Sequence, residues 1–223
     1  MNIKRLSIIS LIIVLLLPCS DIAYAKKVKE KKTKGIILID PGHGGIDGGA
    51  QSVNGTIEKD INLSISKKLK KSLEKVGYKV YLTREEDKEI STRKVEDLDA
   101  RCNMKKETSC DVFISIHQNK FSKASCYGAQ VWYASNDKSS SLATYIQECL
   151  KQSIEDGNKR LAKEAKNQYR ILRDNYDGAC VIVECGFLSN YEEEQKLKDS
   201  EYQDKIVEGI KNGVEQYFKT RSK

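Results

Sequence analysis

Histidine is nearly absent from this chain. Two imidazoles, His43 and His117, stand among 39 Lys and Arg and 32 Asp and Glu in 223 residues. No third histidine exists to activate a cysteine nucleophile. No cysteines show Cys-x-x-Cys spacing, which argues against a Cys-ligated zinc. The glycine-rich stretch 41–55 has neither the GxGxxG nor the GxxxxGK[ST] spacing, which sets aside dinucleotide and P-loop sites. No basic cluster is interleaved with aromatics, so nucleic acid is the weakest partner for a net charge of +7. A solvated surface, anionic lipid or an anionic wall polymer remains. No internal repeat, second domain or low-complexity linker is evident.

The longest apolar or small run, residues 6–17, is shorter than the roughly 20 residues of a membrane-spanning helix. It follows Lys4 and Arg5 and precedes Ala23-Tyr24-Ala25, a small-x-small cleavage site. This is a signal-peptide pattern over 1–25, with cleavage expected after Ala25 and an uncleaved anchor as the alternative. Either way the folded part is expected outside the cytoplasmic membrane. Residues 26–34 read as a basic tether, and 35–223 as one domain, which a 39% hydrophobic composition suits. Six cysteines follow the leader: Cys102, Cys110, Cys126, Cys149, Cys180 and Cys185. The even count permits disulfides, but apolar surroundings favour buried thiols.

Continuous apolar runs at 35–40, 111–116 and 179–183 read as buried strands, with shorter strands at 79–83 and 128–134 and another at 168–172. Helical periodicity covers 57–76, capped by Thr56 and ended by Gly77. Further helices are expected at 91–107, capped by Ser91 with Val95, Leu98, Cys102 and Met104 inward, and at 139–153, 192–197 and 205–218. The β-α-β-α-β order implies an α/β fold. A mostly parallel or mixed sheet of about six strands carries helices on both faces, with sites at strand ends.

Three strand ends carry polar residues, His43, His117 and Glu184, and Glu58 enters from the first helix. Two His and one carboxylate form a common open zinc set. Zinc polarises a carbonyl and lowers the pKa of bound water towards ~7. A second carboxylate serves as base and proton donor. These are the pieces of metal-assisted amide hydrolysis. The bland alternative is two structural histidines and two surface glutamates. On position alone, Glu58 also suits the positive end of a helix dipole. Cys185 beside Glu184 reads as buried packing.

Asp40-Pro41-Gly42-His43-Gly44-Gly45, Glu58-Lys59, Ser115-Ile116-His117-Gln118-Asn119 and Val183-Glu184-Cys185-Gly186-Phe187-Leu188-Ser189-Asn190 stand in order. This set resembles the zinc-dependent N-acetylmuramoyl-L-alanine amidases, from Gly35 to the C-terminal helix. The single-domain, signal-bearing form is similar to the family's spore-cortex members. The resemblance implies one Zn2+ held by His43, Glu58 and His117, with Glu184 as the catalytic carboxylate. Leu98 and Arg101 match the family's helix before the second His, whereas Lys105-Lys106 replace its frequent Ala-Asn. The implied substrate is peptidoglycan, as spore cortex during sporulation, between mother cell and forespore. Exposed muramic acid would then become muramic-δ-lactam, which germination needs. A general vegetative autolysin and a non-catalytic wall-binding scaffold are the rivals. The lack of a wall-binding repeat suggests a membrane-tethered activating partner.

Overall fold

The computed structural model describes residues 33–221. The expected leader and most of the tether lie outside them, while Thr33 and Lys34 already hydrogen-bond to the domain through Gly35 O and Gly77 O. Twelve elements follow in order. They are β1 Ile36–Pro41, α1 Glu58–Lys75, β2 Lys79–Leu82, α2 Lys94–Thr108, β3 Val112–Asn119, β4 Gln130–Tyr133, α3 Asp137–Ile154, β5 Lys163–Glu164, a 3-10 turn Arg170–Leu172, β6 Ala179–Phe187, α4 Tyr191–Lys198 and α5 Ser200–Arg221. No helix among the described residues is long and apolar enough to cross a membrane.

The six strands form one mixed sheet in the order β2-β1-β3-β6-β4-β5. β2, β1, β3 and β6 run parallel; β4 is antiparallel to β6 and parallel to β5. The continuous apolar runs follow from burial on both faces. Ile37 and Ile39 point into the larger core with α1, α3 and α5, while Leu38, Phe113 and Ile182 point into a smaller core with Leu98 and Cys102 of α2. Complete burial of each such side chain contributes about 1.5–3 kcal/mol. β1 continues to β2 on one side and pairs with β3 on the other, so the chain reverses its winding between β1 and β3. The crevice at that switch point, beyond the carboxyl ends of the strands, is where α/β sheets bind ligands.

Some sequence expectations need correction. Residues 168–172 form a loop and the 3-10 turn rather than a strand, and the two-residue β5 was hidden in a polar stretch. α2 begins at Lys94 rather than Ser91, because Asp97 reaches back to the Ile90 and Ser91 amides and holds that segment outside the helix. Val95 consequently lies outside the core at 59% exposure. Thr56 does not cap α1. The N-cap position is Ile57, without a side-chain cap bond, and the Thr56 hydroxyl instead donates to Glu194. Such a cap typically stabilises a helix by ~1 kcal/mol. β3 and β6 run further than expected, so His117 and Glu184 lie within strands.

Candidate metal centre and active site

Register aligns the site. In a strand, alternate residues share a face. His117 pairs with Glu184 across β3 and β6, and Asp40 pairs with Ser115 across β1 and β3. All four therefore face the α2 side, whereas Cys185 turns into the opposite core. Burial pushes the Cys185 thiol pKa well up, consistent with packing rather than nucleophilic chemistry.

His43 reaches the same place from the loop after β1. Its backbone sits at φ 62°, a left-handed conformation that residues other than glycine seldom adopt. Two buried arginines hold this loop. Arg84 donates to Pro41 O (2.9 Å) and Gly42 O (3.0 Å), and Arg101 donates to Pro41 O (3.1 Å) and His43 O (2.9 Å). These bonds satisfy the carbonyls of the turn and maintain the strained residue. Two glycines make room. A Cβ on Gly42 would stand 2.3 Å from His117 ring atoms, and one on Gly49 would stand 2.6 Å from both Glu58 Oε2 and His43 Cδ2.

Glu58 is the hub. Its carboxylate lies 2.9 Å from His117 Nδ1 and 3.2 Å from His43 Nε2. It also accepts from Ala50 N (2.7 Å), Gln118 N (3.0 Å) and Asn62 Nδ2 (3.3 Å). Asp47 Oδ1 stands 3.0 Å from the other nitrogen of His43 and orients the ring. One ligand atom from each of His43, Glu58 and His117 lies within 4.8 Å of the others, so the three could hold a metal ion. The donor set fits zinc: two imidazoles and one carboxylate, with Asp47 orienting His43 and the Ala50 and Gln118 amides orienting Glu58.

The electrostatics agree with a place for a cation. Burial works against the Glu58 charge, but hydrogen bonds and charge from His117 and His43 hold its carboxyl well below the usual range. Burial likewise opposes a charge on His117, but Glu58 above all raises its pKa to about 9. Glu184 behaves oppositely. Burial pushes it up to about 7, with His117 pulling down and Glu58 pushing up. Its Oε2 is buried and has no hydrogen-bond partner among the described residues. A cleft of about 340 Å³ opens beside the group, bounded by His43, His117, Asp47, Leu98, Arg101 and Ile171.

The structure thus gathers His43, Glu58 and His117 in one group and sets Glu184 on the neighbouring strand. The supporting roles of Arg84, Asn62 and Gln118 were not legible in sequence, since a lone polar residue in a loop, helix or strand gives no sign of its partner. Lys105, one of the departures from the family pattern, is fully buried on α2 and donates to Ile171 O (2.6 Å) and Asp174 Oδ1 (2.9 Å). It holds the segment that walls the cleft at Ile171.

A family model described as N-acetylmuramoyl-L-alanine amidase matches residues 37–216. The germination-specific N-acetylmuramoyl-L-alanine amidase of Bacillus subtilis (strain 168) is 36% identical over 196 residues, covering 82% of this chain and 79% of that protein. A probable cell wall amidase, LytH, of Staphylococcus epidermidis is 34% identical, and the match spans 58% of its length. Among solved structures, the CwlD amidase from Clostridioides difficile, in complex with the GerS lipoprotein, superposes with a TM-score of 0.80 at 37% identity. That match covers 83% of this chain and 99% of that one.

Proposed function

This chain belongs to the N-acetylmuramoyl-L-alanine amidase family, and on that premise we propose how its residues perform the reaction and where. The bond cut is the amide between the lactyl group of N-acetylmuramic acid and L-alanine, which frees stem peptides from glycan strands. His43, Glu58 and His117 hold one zinc ion. Bound there, zinc supplies Lewis acidity toward the scissile carbonyl. Glu184 accepts the proton of the attacking water and returns it to the departing alanine nitrogen. Arg84 and Arg101 keep the His43 turn rigid, so the ligand side chains need no reorganisation when substrate arrives. The carrying observation is the gathering of three ligand atoms within 4.8 Å, with Glu184, whose buried Oε2 has no hydrogen-bond partner among the described residues, one strand away.

The substrate is the spore cortex, laid down between mother cell and forespore. The exposed muramic acid passes to a separate deacetylase on the way to muramic-δ-lactam, which germination requires. Likeness to a germination-specific amidase over most of both chains supports this reading. The chain acts outside the cytoplasmic membrane, where peptidoglycan lies. A membrane-tethered partner assists it, a reading supported by the relative solved with a lipoprotein.

The test is to incubate zinc-loaded protein with cortex peptidoglycan, alone and with a candidate lipoprotein. Released peptides should begin with a new L-alanine amine, and spores lacking the enzyme should lack muramic-δ-lactam. Normal lactam in such spores would remove the cortex role. Rapid digestion without any partner would remove the activator.

A further inference from the structure

Glu194 on α4 is fully buried, yet it is not among the residues bounding the cleft. Its carboxylate is committed to a single short loop. Oε1 accepts from Ser52 Oγ (2.8 Å) and Thr56 Oγ1 (2.5 Å), and Oε2 accepts from Asn54 Nδ2 (2.6 Å). Lys198 stands 3.9 Å away on the same helix. Ser52 Oγ accepts in turn from the Asn54 and Thr56 amides. One buried charge therefore organises the side chains of Ser52, Asn54 and Thr56 and, through the Ser52 hydroxyl, the Asn54 and Thr56 amides.

That loop is the approach to Glu58. Ser52 N donates to Thr56 O (2.9 Å), and Gln51 pairs with Ile57 as an antiparallel bridge, which closes the turn. Ala50 and Glu58 are joined twice: Ala50 N donates to Glu58 Oε2 (2.7 Å), and Glu58 N donates to Ala50 O (2.9 Å). The orientation of the Glu58 carboxylate thus depends on where this loop is held. Thr56, the natural cap for α1, gives its hydroxyl to Glu194 instead.

We propose that Glu194 is a positioning residue for the metal centre, acting through residues 50–56 to fix the Glu58 carboxylate between the two imidazoles. The proposal rests on the reading of His43, Glu58 and His117 as zinc ligands. Outer groups that orient a ligand typically change metal affinity by about 10–100-fold when removed. A simple structural staple between α4 and the loop would alter melting but leave affinity unchanged.

The experiment is competition for zinc against a chromophoric chelator, with the metal-free melting temperature recorded for every variant. Glu194→Ala should weaken zinc binding by about 10–100-fold. Glu194→Gln should recover most of the affinity. Its carbonyl oxygen still accepts from Ser52 and Thr56, and a flipped Asn54 amide can accept from its nitrogen. Thr56→Val, a milder change that still leaves Ser52 on the carboxylate, should weaken binding in the same direction but less. Wild-type affinity in Glu194→Ala, with only a lower melting temperature, would overturn the proposal. If Glu194→Ala fails to fold, wild-type affinity in Thr56→Val would overturn it. Wild-type protein that binds zinc no better than His117→Ala would overturn the ligand reading and this proposal with it.

Discussion

Arg101 on α2 holds Asp40 at the end of β1 through an ion pair of 2.6 Å, with both side chains buried. The same guanidinium reaches the carbonyl of His43 (2.9 Å), so the pair joins core stability to the geometry of the site. Burial alone would make such a pair unfavourable. Here Thr83 and Ser115 also donate to Asp40, and Asp97 binds the outer edge of Arg101. Arg101→Ala would strand a buried carboxylate. The expected loss is about 3–5 kcal/mol of stability, measured by urea unfolding.

The same pair gives a pH dependence of defined sign. Burial opposes the Asp40 charge, but Arg101, Thr83 and Ser115 outweigh it and lower the carboxyl from 3.8 to about 2. A depressed folded-state pKa contributes stability that is full above the unfolded value and disappears as pH falls through the folded value. Asp40→Asn should therefore trail the wild type by a constant margin above pH 3.8, and the margin should shrink towards pH 2. Paired unfolding curves across that window would show it, and a margin unchanged down to pH 2 would contradict the assignment.

Glycine at 42 is required by His117 rather than by its backbone conformation. A Cβ there would lie 2.3 Å from the imidazole. Gly42→Ala should displace the ring, lowering zinc affinity at least ~10-fold while costing about 1–3 kcal/mol of stability. Chelator competition and thermal melting on the same sample separate the two effects.

Glu184→Gln keeps the shape of the side chain but removes its capacity to take up a proton. Amidase turnover should fall by about 10²–10⁴-fold, with zinc affinity and wall binding near wild type. Equal turnover in the two proteins would favour a scaffold or a different base.

Thiol labelling checks the cysteine reading. Among the described residues, Cys102, Cys110, Cys149, Cys180 and Cys185 are buried free thiols, and Cys126 is partly exposed. Burial raises Cys102 to about 11 and Cys180 to about 12. Of these six thiols, a reagent applied to native protein should modify Cys126 first, with the other five reacting only on unfolding.

The strand ends were legible because chemistry there interrupts a strong pattern. His43, His117 and Glu184 each follow an apolar run, and only a sheet brings such distant positions together. Glu58 was ambiguous from the residues alone, since a glutamate in a first helical turn satisfies the helix dipole without any ligand role. What stayed hidden was tertiary competition for polar groups. Thr56 reads as a cap but is taken by Glu194, 138 residues away. Ser91 reads as a cap but is held outside α2 by Asp97. The polar stretch around β5 carried no period, because two residues pairing at a sheet edge are too few to leave one. Nothing in the sequence marks Lys105 as buried, yet it is enclosed by Ile171, Asp174 and the rings of Phe113 and Tyr176.

The central claim is that His43, Glu58 and His117 form one zinc site. Its most direct test is zinc titration of metal-free protein against a competing chelator, beside His117→Ala. The account predicts saturation at about one zinc per chain, with binding abolished or greatly weakened in the variant. Indistinguishable binding curves for the two proteins would contradict it.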